Sequence, residues 1–411
     1  MIPYRRNNMS GDNRILIIGG KKQVLIKAKK LGLEVIYVQK KESFDESHSQ
    51  YVSHVVLTDF TNLETLIPIV KELYEQFPFK HAISLSEFGL VPASYVNECL
   101  GLPGNSVATV NLLKDKWEMR KHLNLVGLST VAANKGTNKE DIISFGEKHG
   151  YPIIVKPVNG EGSYGIHKIE DSCDISYYWD KINKMNVNEF LIEEYLDGNE
   201  ISIEAFSFNG KHVILAMTEK LGYNNFVEVG HVVPARIEKD MYNQAKEMVI
   251  SFLDVVGLKE GPSHTEVKLT SKGPKIVESH NRRAGGNINE LVYQVYGVDM
   301  EVLALAWPFK LVSQIDKSPE AMGGACIMFI TPPSGKVTKL NGVREIEEHK
   351  NTVMINLKIE VNDIIKELSW AMDRSGFLIA KGKDAADAVF NCGQLMSSLD
   401  IETATSTTSS I

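Results

Sequence analysis

Residues 151–169 read YPIIVKPVNGEGSYGIHKI, and this stretch decides the expected fold. An apolar, β-branched run precedes the glycines and a β-like run follows them, so Gly160, Gly162 and Gly165 are predicted to lie in a loop between two strands. In a dinucleotide-binding fold the same G-x-G-x-x-G spacing would instead open a helix. Backbone N–H groups of a loop with little side-chain bulk can bind phosphate, so the stretch predicts a phosphate-binding flap.

Lys156 lies in the strand before this loop, four residues ahead of its first glycine. A lysine in a buried strand requires an anionic partner because an unpaired ammonium is costly to desolvate, and a triphosphate would serve. The alternative is a lysine whose stem packs beside an ordinary hairpin while its ammonium reaches water. Protein kinases and P-loop proteins are set aside, because the chain has neither their lysine placement nor their motifs.

The organisation of the chain changes on either side of this loop. Residues 14–103 alternate short β-branched runs with helical runs, which is typical of a doubly wound α/β domain. Consecutive strands over residues 189–234 predict an antiparallel meander, and a hairpin is predicted to turn at residues 270–273. We therefore predict an α/β plus α+β chain divided into residues 1–104, 105–187 and 188–400, with a disordered polar tail at residues 401–411.

Composition narrows the class of protein. The 411 residues are 43% hydrophobic and 24% charged, which is typical of a globular protein. The net charge of −7 argues against a nucleic-acid partner, and no apolar run approaches the roughly 18 residues of a membrane span. The first residues lack a signal-peptide core, and Cys99, Cys173, Cys326 and Cys392 stand far apart, so a cytoplasmic protein with free thiols is expected.

Two glutamates lie on strands joined by a tight turn. Glu266 in HTEVKL and Glu278 in KIVESH are predicted to pair across the hairpin and to face one cleft. Such a pair suits Mg²⁺, which binds one or two carboxylates together with substrate phosphates, although a solvated sheet face is an alternative. Arg282 follows Glu278 by four residues and would stabilise negative charge in the same cleft; alone it would be an ordinary surface residue.

These motifs occur in a characteristic order. The chain carries Asp115-Lys116, then VKP with the glycine loop, then EEYLDGNEISIE at residues 193–204, HTEVKL at 264–269 and VESHNRRAGG at 277–286. The ordered set resembles the ATP-grasp superfamily and, within it, the bacterial L-amino-acid ligases that join two unprotected amino acids into a dipeptide. The likeness covers nearly the whole chain and is greatest to arginine-specific ligases. It implies an ATP-grasp fold preceded by the doubly wound domain.

The resemblance implies that ATP is the nucleotide. Adenine would bind backbone groups of a hinge strand at residues 193–196, Glu200 would bind the ribose hydroxyls, and the lysines and flap would contact the phosphates. The nucleotide-binding set is then Lys116, Lys156, Gly160, Gly162, Ser163, Gly165, Glu193, Glu194, Tyr195, Leu196 and Glu200.

The resemblance also implies a metal. Mg²⁺, with Mn²⁺ as an alternative, would bind Glu266 and Glu278. Many superfamily members have Asn two residues after the second metal glutamate, whereas this chain has His280 there and Asn281 one place later. The third metal ligand is therefore left open between these two residues.

The reaction implied is ATP-dependent dipeptide formation through an acyl phosphate, with ADP and phosphate released. Arg282 would steady the acyl phosphate and the tetrahedral intermediate. Glu228 and His231, in VEVGHVVPA, match a Glu-x-x-His pair that lines the amino-acid pocket. His231 is a candidate proton acceptor for the attacking amine, with a positioning role or an ordinary strand histidine as alternatives.

The expected partners are small-molecule amino-acid substrates, and a homodimer is left open. If L-arginine is the first amino acid, its guanidinium needs a carboxylate partner. Glu87, after the strand HAISL, and Asp373, in WAMDRSGF, are the candidates, and Gly286 would leave room for a long side chain. Other functions that stay open are a different ATP-grasp ligase or carboxylase component, which the Glu-x-x-His pair disfavours, and a non-catalytic nucleotide-binding regulator, which would have no use for Arg282.

Overall fold

The N-terminal part of the chain forms a parallel α/β sheet. The structure, a computed structural model, describes residues 13–158, 162, 164–184, 187–224 and 227–404. Its first strands and helices are β1 (Arg14–Ile18), α1 (Lys22–Lys30), β2 (Glu34–Gln39), β3 (His54–Leu57), α2 (Leu63–Gln76), β4 (His81–Ile83) and α3 (Leu90–Cys99). The strands pair in the order β3-β2-β1-β4 and are all parallel. The apolar runs of β1 and β2 are buried, as is typical of parallel strands covered by helices. Glu87 begins a short 3-10 turn, Glu87–Gly89, just beyond the carboxyl end of β4.

A second, antiparallel sheet follows two helices. The elements are α4 (Val107–Lys114), α5 (Lys116–Leu125), β5 (Ala133–Gly136), α6 (Lys139–His149), β6 (Ile153–Pro157), β7 (His167–Ile169), α7 (Ile175–Lys184) and β8 (Phe190–Glu194), with strand order β5-β8-β6-β7. Helix α5 begins at Lys116 because the Asp115 carboxylate accepts hydrogen bonds from the backbone N–H groups of Trp117 and Glu118. Strands β6 and β7 pair on either side of the glycine loop, so the predicted strand, loop and strand are confirmed.

The rest of the chain is dominated by an eight-stranded sheet. Its elements are β9 (Asn199–Phe208), β10 (Lys211–Lys220), β11 (Tyr223–Asn224), β12 (Val227–Glu228), β13 (Gly230–Val233), α8 (Lys239–Val255), β14 (Gly261–Thr270), β15 (Gly273–His280), α9 (Ile288–Tyr296), α10 (Met300–Ala306), β16 (Gly324–Ile330), β17 (Gly335–Asn341), α11 (Val343–Glu347), β18 (Thr352–Leu357), β19 (Ile364–Ile365), β20 (Gly376–Gly382), α12 (Ala385–Ser397) and β21 (Asp400–Ala404). The large sheet has the order β15-β14-β9-β10-β13-β16-β20-β18, and small sheets pair β11 with β12 and β17 with β19 and β21.

Helices cover both faces of the large sheet. Helix α8 packs its buried residues Val249, Phe252 and Leu253 against inward side chains of β9 and β10, and α9 and α10 pack in a separate core cluster with the first sheet. The four cysteines are free thiols, two exposed and two buried, as expected. Within the part of the chain that the structure describes, no helix combines the length and the apolar character needed to cross a membrane.

The structure corrects three expectations about this region. The strand FLIEE is β8 of the smaller sheet and not the first strand of a meander, because it pairs with β5 and β6. The run FVEVGHVVP divides, since β12 pairs with β11 and only β13 joins the large sheet. The tail expected from residue 401 is wrong for residues 401–404, which belong to β21; residues 405–411 lie outside the described residues.

Candidate active site

A cavity of about 520 Å³ lies between the antiparallel four-stranded sheet and the eight-stranded sheet. Many side chains expected from the sequence line it: Lys116, Lys156, Gly162, Glu193, Glu194, Tyr195, Leu196, Glu200, Glu228, Glu266 and Glu278. Gly160 and Ser163 lie outside the described residues, and Gly165 has a positive φ of 72° but is not among the lining residues. The two sheets therefore bring the proposed nucleotide, metal and amino-acid residues to one place.

The two hairpin carboxylates face this cavity together. Glu266 on β14 lies directly opposite Glu278 on β15, as the sequence predicts. The Lys116 ammonium lies 3.0 Å from Glu278 Oε2, and the Lys220 ammonium lies 2.7 Å from Glu266 Oε1. Burial opposes ionisation of both carboxylates, but these cations outweigh it, and the pKa of each glutamate lies below its usual range. The pair is therefore charged and lines a cavity rather than an open sheet face.

A histidine stands beside each of these carboxylates. His264 Nδ1 lies 3.1 Å from Glu204 Oε1, and its Nε2 lies 3.5 Å from Glu266 Oε1. Glu204 is fully buried. Burial alone would lower the pKa of His264, but the two carboxylates outweigh it and raise the pKa to about 9. The imidazolium therefore holds Glu266 in place, a role that the sequence analysis missed.

We expect His264 to make stability depend on pH. Its folded pKa of about 9 lies above the ordinary value of 6.5, so the native state binds the proton more tightly than the unfolded chain. The stability that this group contributes is complete below pH 6.5 and is lost as the pH rises through about 9. Urea unfolding at these two pH values should show a larger loss for the wild type than for His264→Gln. Equal losses in the two proteins would contradict the ion pairs.

Lys156 is held by a buried ionic group on the other wall. Its ammonium lies 2.6 Å from Glu193 Oε2, and Arg120 Nε donates to Glu193 Oε1 at 2.7 Å. Arg120 is only 1% exposed and also donates to the backbone oxygen of Ile276 at 2.7 Å. The Lys156 ammonium therefore binds a buried carboxylate instead of reaching water. The Glu193 side chain is engaged by Lys156 and Arg120, so only the backbone of Glu193 is left for the adenine contact expected from the sequence. Arg120 has no recognisable signal in the sequence, because its partners come from distant strands.

Lys220 is a further residue that the sequence analysis missed. Its side chain is 3% exposed at the end of β10, and its ammonium contacts Glu200, Glu266 at 2.7 Å and Glu228 at 3.3 Å. Burial disfavours the charge, yet the three carboxylates raise the pKa of Lys220 well above its usual range. One lysine thus joins the residues expected to bind ribose, metal and amino acid. A lysine at the end of the apolar strand KHVILAMTEK was the available signal.

Arg282 and Glu87 bind each other. Arg282 Nε donates to Glu87 Oε2 at 2.6 Å, and His280 Nδ1 lies 3.3 Å from the same oxygen. His280 Nε2 in turn lies 3.3 Å from Glu278 Oε1. Burial opposes ionisation of Glu87, but His280 and Arg282 lower its pKa to about 2. Glu87 is therefore not a vacant carboxylate waiting for a substrate guanidinium, as the sequence had suggested.

The two alternatives for a third metal ligand, His280 and Asn281, lie in different surroundings. His280 contacts the Glu278 carboxylate, whereas Asn281 lines a second cavity of about 280 Å³ that also borders β4 and α3. Across the described residues, no set of three or more His, Cys, Asp or Glu side chains is arranged to hold a metal ion. Two carboxylates that need phosphate oxygens to complete the ligand set suit Mg²⁺ nevertheless, since this ion is commonly bound in that way.

The remaining candidates lie beside the cavity. His231 is 4% exposed, and burial lowers its pKa to about 3, so the imidazole is neutral. A Cβ added at Gly286 would lie 3.0 Å from His231 Nε2, so this imidazole fills the room that was expected for a substrate. Asp373 is also not a vacant carboxylate, because it accepts hydrogen bonds from the backbone and side chains of Ser369 and Trp370.

The fold and the site together define the class of protein. A glycine loop between antiparallel strands, buried lysines and a carboxylate pair across a large sheet form the arrangement of an ATP-grasp protein. Family profiles agree: the ATP-grasp domain matches residues 149–290, the ATP-grasp N-terminal domain matches residues 25–104, and the L-amino acid ligase C-terminal domain 2 matches residues 328–404. The matched domains are those of the ATP-grasp L-amino acid ligases.

Known relatives are similar at low identity. Alanine–anticapsin ligase of Bacillus subtilis (strain 168) is 26% identical over 266 residues, which are 59% of this chain and 56% of that protein, so the chain spans little more than half the length of that relative. An L-arginine-specific L-amino acid ligase of Bacillus subtilis is 21% identical over 334 residues, covering 78% of this chain and 79% of that protein. The crystal structure of an L-amino acid ligase from Bacillus licheniformis superposes with a TM-score of 0.83 at 21% identity, over 96% of this chain and 100% of that one. The structural likeness shows the fold, and the expected family and fold are confirmed.

Proposed function

We propose that this protein joins two unprotected L-amino acids into a dipeptide, with ATP converted to ADP and phosphate. The observation that carries the proposal is the single cavity in which the Glu266 and Glu278 carboxylates lie among buried lysines and beside Glu228. Phosphoryl transfer needs positive charge around the phosphates, and peptide ligation needs an adjoining amino-acid pocket. The matched domains support both requirements.

The walls of the cavity suit ATP. Tyr195 and Leu196 follow β8 at one end, where adenine would bind, and Glu200 lies near the ribose position. Lys116, Lys156 and Lys220 also line the cavity, where they would contact the phosphates. Glu266 and Glu278 would hold Mg²⁺, or Mn²⁺, which would neutralise charge on the phosphate oxygens. On ATP binding, the lysines would exchange part of their carboxylate contacts for phosphate contacts.

The chemistry proceeds in two steps. The carboxylate of the first amino acid attacks the γ-phosphorus of ATP, the bond from this phosphorus to the β,γ-bridging oxygen breaks, and ADP leaves as the acyl phosphate forms. The amine of the second amino acid then attacks the acyl carbon and expels phosphate. The Arg282 guanidinium would stabilise the negative charge that develops in both steps. His231, with a pKa of about 3, accepts protons poorly, so a positioning role beside Glu228 suits it better than general base catalysis.

We infer L-arginine as the first amino acid. The similarity to an L-arginine-specific ligase over 334 residues supports this choice. Glu87 is the acid that binds the catalytic arginine, and Arg282 and His280 both contact its Oε2. A carboxylate accepts several hydrogen bonds, so Glu87 would also accept one from a substrate guanidinium while Arg282 stays bound.

Nucleotide products test the reaction class. Incubation with ATP, Mg²⁺ and pairs of amino acids should release ADP and phosphate together with a dipeptide, because the site is built for transfer of the γ-phosphoryl group. Chromatography of the nucleotides and mass spectrometry of the peptides measure this. Formation of AMP and pyrophosphate would point to adenylation, and nucleotide binding without any phosphate release would favour a regulator.

Competition between substrates tests the arginine preference. Arginine should be incorporated at the N-terminal position in preference to alanine, leucine and lysine, and Glu87→Gln should reduce that preference. Mass spectrometry of the mixed dipeptides gives the incorporation ratio, and Glu219→Gln serves as the matched carboxylate substitution, since Glu219 binds the exposed Arg236. If alanine is used as efficiently as arginine, the pocket is wrong while the ligase assignment stands.

A further inference from the structure

One surface loop touches both ends of the proposed site. Its centre is the 3-10 turn Ala371–Asp373, which the Asp373 carboxylate fixes by accepting hydrogen bonds from Ser369 and Trp370. Residues 369–374 are called the bridging loop here. The loop belongs to the region that matches the L-amino acid ligase C-terminal domain 2.

The bridging loop contacts the phosphate-binding glycine loop through its first half. The backbone N–H of Ala371 donates to the Gly162 backbone oxygen at 3.2 Å. The rings of Trp370 and Tyr164 meet edge to face with centroids 6.1 Å apart. These contacts place Trp370 against the part of the chain that closes the nucleotide cavity.

The second half of the same loop fixes an acid of the amino-acid pocket. Arg374 NH2 donates to the Glu228 backbone oxygen at 2.8 Å and to Glu228 Oε2 at 2.9 Å. Its guanidinium carbon lies 3.6 Å from the centroid of the Phe329 ring, and the same ring meets His231 edge to face at 5.4 Å. Arg374 thus orients both members of the Glu-x-x-His pair, one directly and one through Phe329.

Arg374 is held more tightly than a surface arginine. Its side chain is 10% exposed, and its Nε is buried without a hydrogen-bond partner among the described residues. A buried donor without a partner costs stability, so the contacts of the Arg374 side chain must offset one missing hydrogen bond. Glu228 Oε1 also contacts Lys220 at 3.3 Å, which continues the chain of contacts to Glu266.

We propose that the bridging loop couples nucleotide binding to amino-acid binding, with Arg374 as the residue that positions Glu228. The proposal rests on the function proposed above, because it takes the Glu228 and His231 pocket as the amino-acid site. A ligand that fixes the glycine loop also fixes Trp370, and hence Arg374 and Glu228, so the second ligand binds to a pocket that is already ordered. By reciprocity, amino acid must tighten nucleotide binding by the same factor.

Isothermal titration calorimetry measures this factor. The dissociation constant of the non-hydrolysable analogue AMP-PNP with Mg²⁺ is determined with and without saturating L-arginine, and again with L-alanine. We expect the amino acid to tighten binding about fivefold or more in the wild type, the usual lower range of such couplings. In Arg374→Ala and in Trp370→Leu the factor should fall below about twofold.

Trp370→Leu separates coupling from simple loss of structure. It leaves the contacts between Arg374 and Glu228 in place, so amino-acid binding measured without nucleotide should stay near the wild-type value while the coupling is lost. Arg236→Ala is the matched control, since Arg236 is an exposed arginine that binds Glu219 in bidentate fashion outside this loop. Its coupling should equal that of the wild type.

The outcomes are distinct. Full coupling in Trp370→Leu or in Arg374→Ala overturns the proposal, and so does a wild-type protein in which the two ligands bind independently. Dipeptide synthesis is measured separately on the same proteins. Dipeptide formed without coupling refutes the bridging role alone, whereas no dipeptide and no amino-acid binding refutes the proposed function.

Discussion

Glu278→Gln and Glu266→Gln are each expected to lower ligation turnover by about a thousandfold or more, the scale of several kcal/mol of lost transition-state stabilisation by a bound metal. The two carboxylates lie opposite each other across β14 and β15, and both face the cavity. An amide keeps the shape of the side chain but removes the negative charge that would hold the metal beside the phosphates. Steady-state phosphate release at saturating ATP and amino acids measures the loss.

Three observations keep this result interpretable. Each substitution leaves one lysine with fewer anionic partners, so far-ultraviolet circular dichroism and urea unfolding must first show that the fold survives. Glu219→Gln is the matched control, because Glu219 is a glutamate of β10 that binds the exposed Arg236 and should retain full turnover. Wild-type turnover of either hairpin variant at ordinary magnesium concentration would refute the metal assignment.

The parts of the site that the sequence predicted are those that local pattern specifies. A tight turn joins the two hairpin strands, so the sequence predicts that Glu266 and Glu278 lie close together; a register shift between Glu266 and Val267, which the turn does not specify, sets them directly opposite each other. The loop between β6 and β7 follows in the same way from apolar runs that flank clustered glycines. Lys156 was identified because a charge inside an apolar strand is costly unless a partner exists.

The parts that the sequence did not predict depend on contacts between distant segments. Arg120 meets Glu193 across 73 positions of the chain, and Lys220 meets Glu266 across 46. No local pattern marks which acid a given cation will bind. The same reason explains the error over FLIEE, which was assigned to a meander because its neighbours in sequence are strands, although it pairs with β5 and β6.

The specificity residues show a further limit. Glu87 and Asp373 were chosen as acids near the expected pocket, but the structure shows that each already binds side chains of the protein itself. A sequence shows that a carboxylate is present, but it does not show whether that carboxylate already binds another residue of the protein. A glycine likewise shows that space is present but not what fills it: the space beside Gly286 is occupied by His231.

Arg282→Ala is expected to lower the rate of ligation by about 10²–10³, the usual cost of removing one donor that stabilises a developing oxyanion. Binding of AMP-PNP should change by less than about threefold, because Arg282 does not line the nucleotide cavity. The guanidinium is already oriented by Glu87 at 2.6 Å, so it requires little rearrangement to meet the reacting group. Rapid-quench measurement of ADP formation, paired with calorimetry of AMP-PNP binding, gives both quantities.

The interaction with Glu87 makes controls necessary, because removing Arg282 also takes away one cationic partner of that carboxylate, which His280 still contacts. Glu87→Gln removes the orienting acid but keeps the guanidinium, so its rate should fall less than that of Arg282→Ala. Arg283→Ala tests the neighbouring arginine, which binds Glu301 at 2.6 Å instead, and should leave the chemical step largely intact. If Arg282→Ala lowers the rate and the AMP-PNP affinity equally, Arg282 acts in ground-state binding. If Arg282→Ala and Glu87→Gln have equal rates, the pair acts only by fixing the N-terminal sheet against β15.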